Sequence, residues 1–523
     1  MSKSSLLIAT ALVLITSSAA LADNNYANVA QNGTDNGAAV TQGPGSNNWA
    51  GTDDLAIRQT GNGNTLTFLQ SGSGNSIGAA GTGFLQSSNR NTATITQTSG
   101  GNAVDSVTQR GIASALGGDG LRRNILTVLQ QTGDGNSISS VEQTRGALSP
   151  FAAANAATLT QTGAANHIGS VVQSGHAETA TLTQQGAGNA IAATEQRGSR
   201  NAIVISLVGD RNGATPFVAA ADIAGAWGGL AQGHVYQNND ALLAGLVDGN
   251  VLSLAVVGDD NSFGFSQVGG DNTVSGALVG DGNQAGVNQL GLSNSASFAL
   301  VGDGNLLFID QGLWAVNYSN TANVAVVGDD NHIGVRQGGS SNNAAIAIAG
   351  GGNLVNLLQE SLLWGNDAQL AITGSDNQIG LTQSGRNSAL LGITGSGNLL
   401  TGSQSGTLNT LDIAIFGSRN NALVNGGFTA GKPAAAMASL LSPPLVPGDV
   451  LQSGSGNSIT YRLGTSLVSA DDNKFAFWQS GDGNTIEGAT RGSHNEVAIV
   501  QRGNANFAYF SQNGVGNVIG VSQ

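Results

Sequence analysis

Residues 261–305 read NSFGFSQVGGDNTVSGALVGDGNQAGVNQLGLSNSASFALVGDGN, and Asn261, Asn272, Asn283, Asn294 and Asn305 stand eleven residues apart. A glycine lies three residues before each of them, at Gly258, Gly269, Gly280, Gly291 and Gly302. Six residues after successive asparagines come Gln267, Leu278, Gln289, Leu300 and Gln311, so the true period is twenty-two residues, two unlike arms of eleven. A fixed period in the twenties is the signature of a solenoid or array.

Each arm alternates. The second and fourth positions after Asn carry Phe263 and Phe265, Ala285 and Val287, Ala296 and Phe298, while the odd positions are mostly small or polar. Period-two alternation over seven residues predicts a half-buried strand. The G-x-x-N that follows is turn chemistry, since Gly accepts positive φ and Asn tolerates the left-handed region. Two arms therefore make one flat coil, and stacked coils place like residues about 4.8 Å apart. Buried amides left unpaired cost about 1–3 kcal/mol each. In register they satisfy one another as Asn and Gln ladders. The predicted fold is an all-β solenoid of stacked two-stranded 22-residue coils with inserted loops. Its ladder residues are the five asparagines with Gln267, Gln289 and Gln311, and its turns rest on the five glycines.

Residues 1–22 have the form of a secretory signal: Lys3, an apolar run from Leu6 to Ile15, and Ala20-Leu21-Ala22 as the cleavage site. That run is too short to span a bilayer, and no other stretch qualifies. A secreted, extracellular chain without a membrane span is expected. Thirty-two acidic against eighteen basic residues give a net charge of −14, which argues against nucleic acid as a partner. With no cysteine there is no disulfide framework.

From residue 23 to 212 both arms tend to carry Gln, and twelve-residue arms such as Asn189 to Asn201 predict bulges. An insertion at 213–238 holds Pro216 and Trp227. Alternating Gln and aliphatic arms fill 239–424, with swollen turns carrying Trp314 and Trp364. A proline-containing loop or short helix occupies 425–449, and terminal coils follow at 450–523. No proline falls in a predicted strand. Only Asp23 to Ala30 lies between the signal and the first arm, and Gln523 is itself at the Gln position. Open strand edges that invite another chain are expected at both ends.

Gln31-x-Gly33-x-x-Asn36-x-Ala38-x-x-x-Gln42, and Gln86, Asn91, Ala93 and Gln97 with Ser88 for the Gly, follow Q-x-G-x-x-N-x-A-x-x-x-Q. The chain thus resembles the curlin family, secreted bacterial subunits that polymerise into curli, extracellular amyloid fibres (pili) of adhesion and biofilm. The resemblance covers most of 31–523. It implies self-association or association with other curlin subunits, with surface or matrix ligands as further partners. Aliphatic residues replace Gln in every second arm after about residue 203, a departure from the family pattern.

No nucleophile motif or phosphate loop appears, and His167, His176, His234, His332 and His494 lack metal-ligand spacing. Asp259, Asp281, Asp303 and Asp329, each after a turn glycine, predict a carboxylate row, read as a solvated edge in preference to a cation site. Trp227, Trp314 and Trp364 are expected to cover apolar coil faces in preference to binding a partner or carbohydrate. No enzyme activity, cofactor or metal is expected. The function expected is that of a fibre subunit, and the alternative is a monomeric solenoid adhesin or fibre nucleator.

Overall fold

The computed structural model describes residues 23–111, 124–145, 154–218, 221–223, 229–239, 249–312 and 318–523, with the backbone of the strand Val13–Ser17. The expected signal segment therefore lies outside the described residues except for that strand, which pairs in parallel with Gly37–Gln42. Trp227 and Trp314 also lie outside them. The chain forms two compact units, one of Met1–Phe217 and Leu230–Ser275, the other of Val218–Gly229 and Gly276–Gln523.

Each unit is a β-solenoid. Strands consecutive in sequence are the two arms of one coil, and each pairs in parallel with the strand two further on. In the first unit, Asn155–Thr162 lies between Asn124–Gln131 and Thr179–Gln185, matching Val128 to Leu159 to Leu182 and Gln130 to Gln161 to Gln184. In the second, Thr321–Val327 lies between Ser295–Val301 and Asn343–Ala349. Like residues thus touch like, the packing that the 22-residue period demands.

Inward positions build the core: Leu159, Leu182, Phe263 and Phe265 in the first unit, Leu300, Ile309, Val326 and Ile348 in the second, all buried. Where an arm has twelve residues the register skips one. Ile168 pairs with Ile191 and Ser170 with Ala193, leaving Gly169 and Ala192 as stacked bulges.

Outward positions should be wet by the alternation rule. In the second unit Leu306 and Phe308 are buried nonetheless. The insertion lies across these arms: Val218 N–H donates to Gln284 Oε1 at 2.8 Å, Asn356 Nδ2 to the Asp222 carbonyl at 2.9 Å, and Asp222 pairs with His332. The 425–449 segment contains a short helix, Pro433–Ala438, that does the same for the last arms. Its Ala438, with Leu445, packs on Ala476 and Val500. Two sequence expectations are corrected. The insertion does not extend to 238, because His234–Asn238 is a solenoid strand with its own ladder residue, Gln237. Trp364 covers no coil face and is 63% exposed.

Candidate functional site: two amide ladders

Every predicted ladder residue is buried. Asn305 shows the unit of construction. Its backbone N–H and Nδ2 both donate to Asn283 Oδ1 in the coil before, at 3.1 and 2.9 Å, and Nδ2 also donates to the Gly328 carbonyl in the coil after, at 2.8 Å. Asn331 then repeats the pattern on Asn305 Oδ1. The side chain uses both acceptor sites and both hydrogens, which is all an amide has.

The same bonds join Asn261 to Asn212 and Asn272 to Asn250 in the first unit, and Asn320 to Asn294 in the second.

The turn glycines complete the ladder. Gly258, Gly269, Gly280, Gly291 and Gly302 all have φ between 110° and 125°. In this conformation the Gly302 carbonyl accepts from Asn283 Nδ2 at 2.7 Å, as the Gly269 carbonyl accepts from Asn250 Nδ2 at 2.9 Å. A Cβ on Gly280 would lie 2.2 Å from the Gly302 carbonyl oxygen, so close approach as well as φ selects glycine.

The glutamines run the other way. Gln289 Nε2 donates forward to Gln311 Oε1 at 2.8 Å, and Gln311 to Gln337 at 2.8 Å, whereas the asparagines donate backward. Gln267 accepts from Gln237 at 2.7 Å. The second hydrogen of Gln311 crosses the coil to the Ser295 carbonyl at 3.1 Å and ties the two arms together. Opposed donor directions let the side-chain dipoles of the two ladders offset one another.

The aspartate row is a solvated edge, exposed at Asp281, Asp303 and Asp329, whose carboxylates also bond the turn backbone. Asp329 Oδ1 accepts the N–H of Asp303 at 2.9 Å, and Asp303 Oδ1 that of Asp281 at 2.8 Å. Further along, Ser396 and Ser418 take the same place, their hydroxyls accepting the N–H of Ser375 and Ser396 at 3.0 and 3.1 Å. The row satisfies turn backbone. Beside it, the guanidinium of Arg211 holds the Asp260 carboxyl below its usual range through paired hydrogen bonds.

Some ladder members escape a reading by spacing. Gln237 and Asn320 follow irregular insertions, and only the local alternation Val235-x-Gln237 or Asn320-x-Ala322-x-Val324 marks them. Glu178 occupies an asparagine position, wholly buried. Its N–H donates to Asn155 Oδ1 and its Oε2 accepts from the Asn201 N–H at 3.1 Å.

Among the described residues no helix is long and apolar enough to cross a membrane. No curated protein matches the chain. Residues 492–523, which span the strands Glu496–Arg502 and Phe507–Asn513, match the family model of the curlin associated repeat. This chain carries the curlin repeat.

Proposed function

We propose that the chain is a structural subunit of an extracellular curli-like amyloid fibre, exported through the 1–22 signal and serving adhesion and biofilm. The amide ladders support this reading above all. Each side of a coil carries amide donors and acceptors, and an identical coil supplies the complement of each. A coil of another copy meets that need as well as the next coil of the same chain. Growth is then templated strand addition, with amide and aliphatic columns continuing across the junction. The partners are further copies or other curlin subunits, with surface or matrix ligands along the sides, and no catalytic step is assigned.

Seeding tests it. The processed chain should form fibres with a reflection near 4.8 Å along their axis, and fragments of those fibres should shorten the lag of fresh protein. A chain that stays monomeric for days, and whose fragments leave the lag unchanged, is instead a monomeric adhesin or a nucleator for another subunit.

A further inference from the structure

The segment that the sequence marks as a secretory signal contributes a strand of its own. Val13, Leu14, Ile15, Thr16 and Ser17 pair in parallel with Ala38, Ala39, Val40, Thr41 and Gln42. On its other side the strand Gly37–Gln42 pairs with Thr65–Gln70. There the N–H groups of Gly37 and Gly43 donate to the Asn64 and Gln70 carbonyls at 2.9 and 2.7 Å. N–H direction alternates along a strand, so those of Ala38, Val40 and Gln42 face Val13–Ser17. Without that segment they form an unpaired edge, which invites a strand of another chain.

The segment continues the register of the solenoid but not its amide ladder. Val13 and Ile15 extend the columns Ala38, Leu66, Ala93 and Val40, Phe68, Ile95. Ser17 stands at the head of the column Gln42, Gln70, Gln97. In that column Gln42 Nε2 donates to Gln70 Oε1 at 3.0 Å, and Gln70 to Gln97 at 2.9 Å. Each glutamine accepts from the one before it, and a serine has no amide to offer Gln42. Residues 1–22 contain neither Asn nor Gln. The other Gln column begins at Gln31, whose Oε1 is buried and has no hydrogen-bond partner. The arms of a further copy carry amides for both acceptors, and the segment carries none.

We propose that Val13–Ser17 is a removable cap. In the uncut chain it occupies the Gly37–Gln42 edge, and because a strand edge pairs only once, a second copy is kept off it. Removal of residues 1–22 opens the edge. The inference rests on the export and fibre reading and deepens it, since copies that still carry the segment do not join through this edge. Two effects compete. Being part of the same chain, the segment meets the edge at an effective concentration of about millimolar, above that of free copies in dilute solution. Against it stand the amides that it lacks. Cutting removes the first effect, and the second then favours a coil of another copy.

Hydrogen exchange on dilute, monomeric protein tests the cap. In the full-length chain the Ala38, Val40 and Gln42 amides should exchange at least about tenfold more slowly than in the chain beginning at Asp23. The Leu66 and Phe68 amides, which lie in the next strand of the column, are the unchanged reference. The full-length double variant Leu14→Pro/Thr16→Pro keeps the segment attached but deprives it of ladder donors, and should exchange like the processed chain. Equal rates in the full-length and processed chains, or slow exchange that survives the two prolines, overturn the proposal. Seeding is scored separately: slow exchange that the prolines abolish, in a chain that never seeds, keeps the cap and removes the fibre reading.

Discussion

Asn305 Nδ2 lies 2.9 Å from Asn283 Oδ1, and Asn331 Nδ2 lies 2.9 Å from Asn305 Oδ1. Each amide is therefore shared between two neighbours, and removing one orphans groups in both. Asn305→Leu leaves Asn331 without its acceptor and the Gly328 carbonyl without its donor. At about 1–3 kcal/mol per buried orphan, the variant should unfold at markedly lower urea. Asn323→Leu, at an exposed position of the neighbouring strand, should stay within about 0.5 kcal/mol of the parent. Equal midpoints for the two variants would remove the ladder as a source of stability.

Glu178 predicts the opposite sign. A carboxylate has no hydrogen for Asn155 Oδ1, whereas in a neighbouring coil Asn124 Nδ2 donates to Asn91 Oδ1 at 3.1 Å. Glu178→Asn supplies that bond, so stability should rise by about 0.5–1.5 kcal/mol. Denaturation midpoints at neutral pH decide it, and no gain would mean that the acid is already well accommodated.

Glycines divide by what surrounds them. At Gly302, φ is 123° and an added Cβ would lie 2.2 Å from the Gly328 carbonyl oxygen. Gly302→Ala should cost at least about 2–3 kcal/mol, from backbone strain together with the clash. Around Gly380 nothing lies within 4 Å, and Gly380→Ala should be close to neutral. Protease resistance of the two variants is a sufficient readout.

In the aspartate row, Asp329→Ser should be nearly silent, because Ser396 and Ser418 already do the same work with hydroxyls. Asp329→Ala leaves the Asp303 N–H without its acceptor and should lose about 0.5–1.5 kcal/mol. If the serine variant falls as far as the alanine one, the negative charge matters and not the hydrogen bond.

Pitch and alternation made the coil legible, because a buried Asn every eleven residues has no use outside a stack. They could not show Gln237, which follows an insertion of irregular length, nor Glu178, whose side chain breaks the pattern while its backbone keeps it. Nor could they show which face the insertions cover. That Leu306 and Phe308 are dry while Val327 is wet goes with Val218 and Asp222 lying across the Gln arms, more than eighty positions away in sequence. Trp364 fell on the same limit: an indole in a loop reads alike whether it folds back or points out.

Tyr461 gives a prediction that depends on pH. It is wholly buried, with its ring 4.8 Å from Phe475 and 5.1 Å from Phe477, and burial pushes its hydroxyl far above the usual 10.0 despite a hydrogen bond with Thr490. The folded chain therefore holds this proton at pH values where the unfolded chain has released it. Its contribution is fully present below pH 10 and is lost as pH rises above, by up to about 1.4 kcal/mol per pH unit for one proton. Between pH 8 and 11.5 the parent should lose stability more steeply than Tyr461→Phe. The difference should open only above pH 10, because other alkaline effects are common to both proteins. Parallel urea midpoints across that range would show that the phenol is not held neutral by the core.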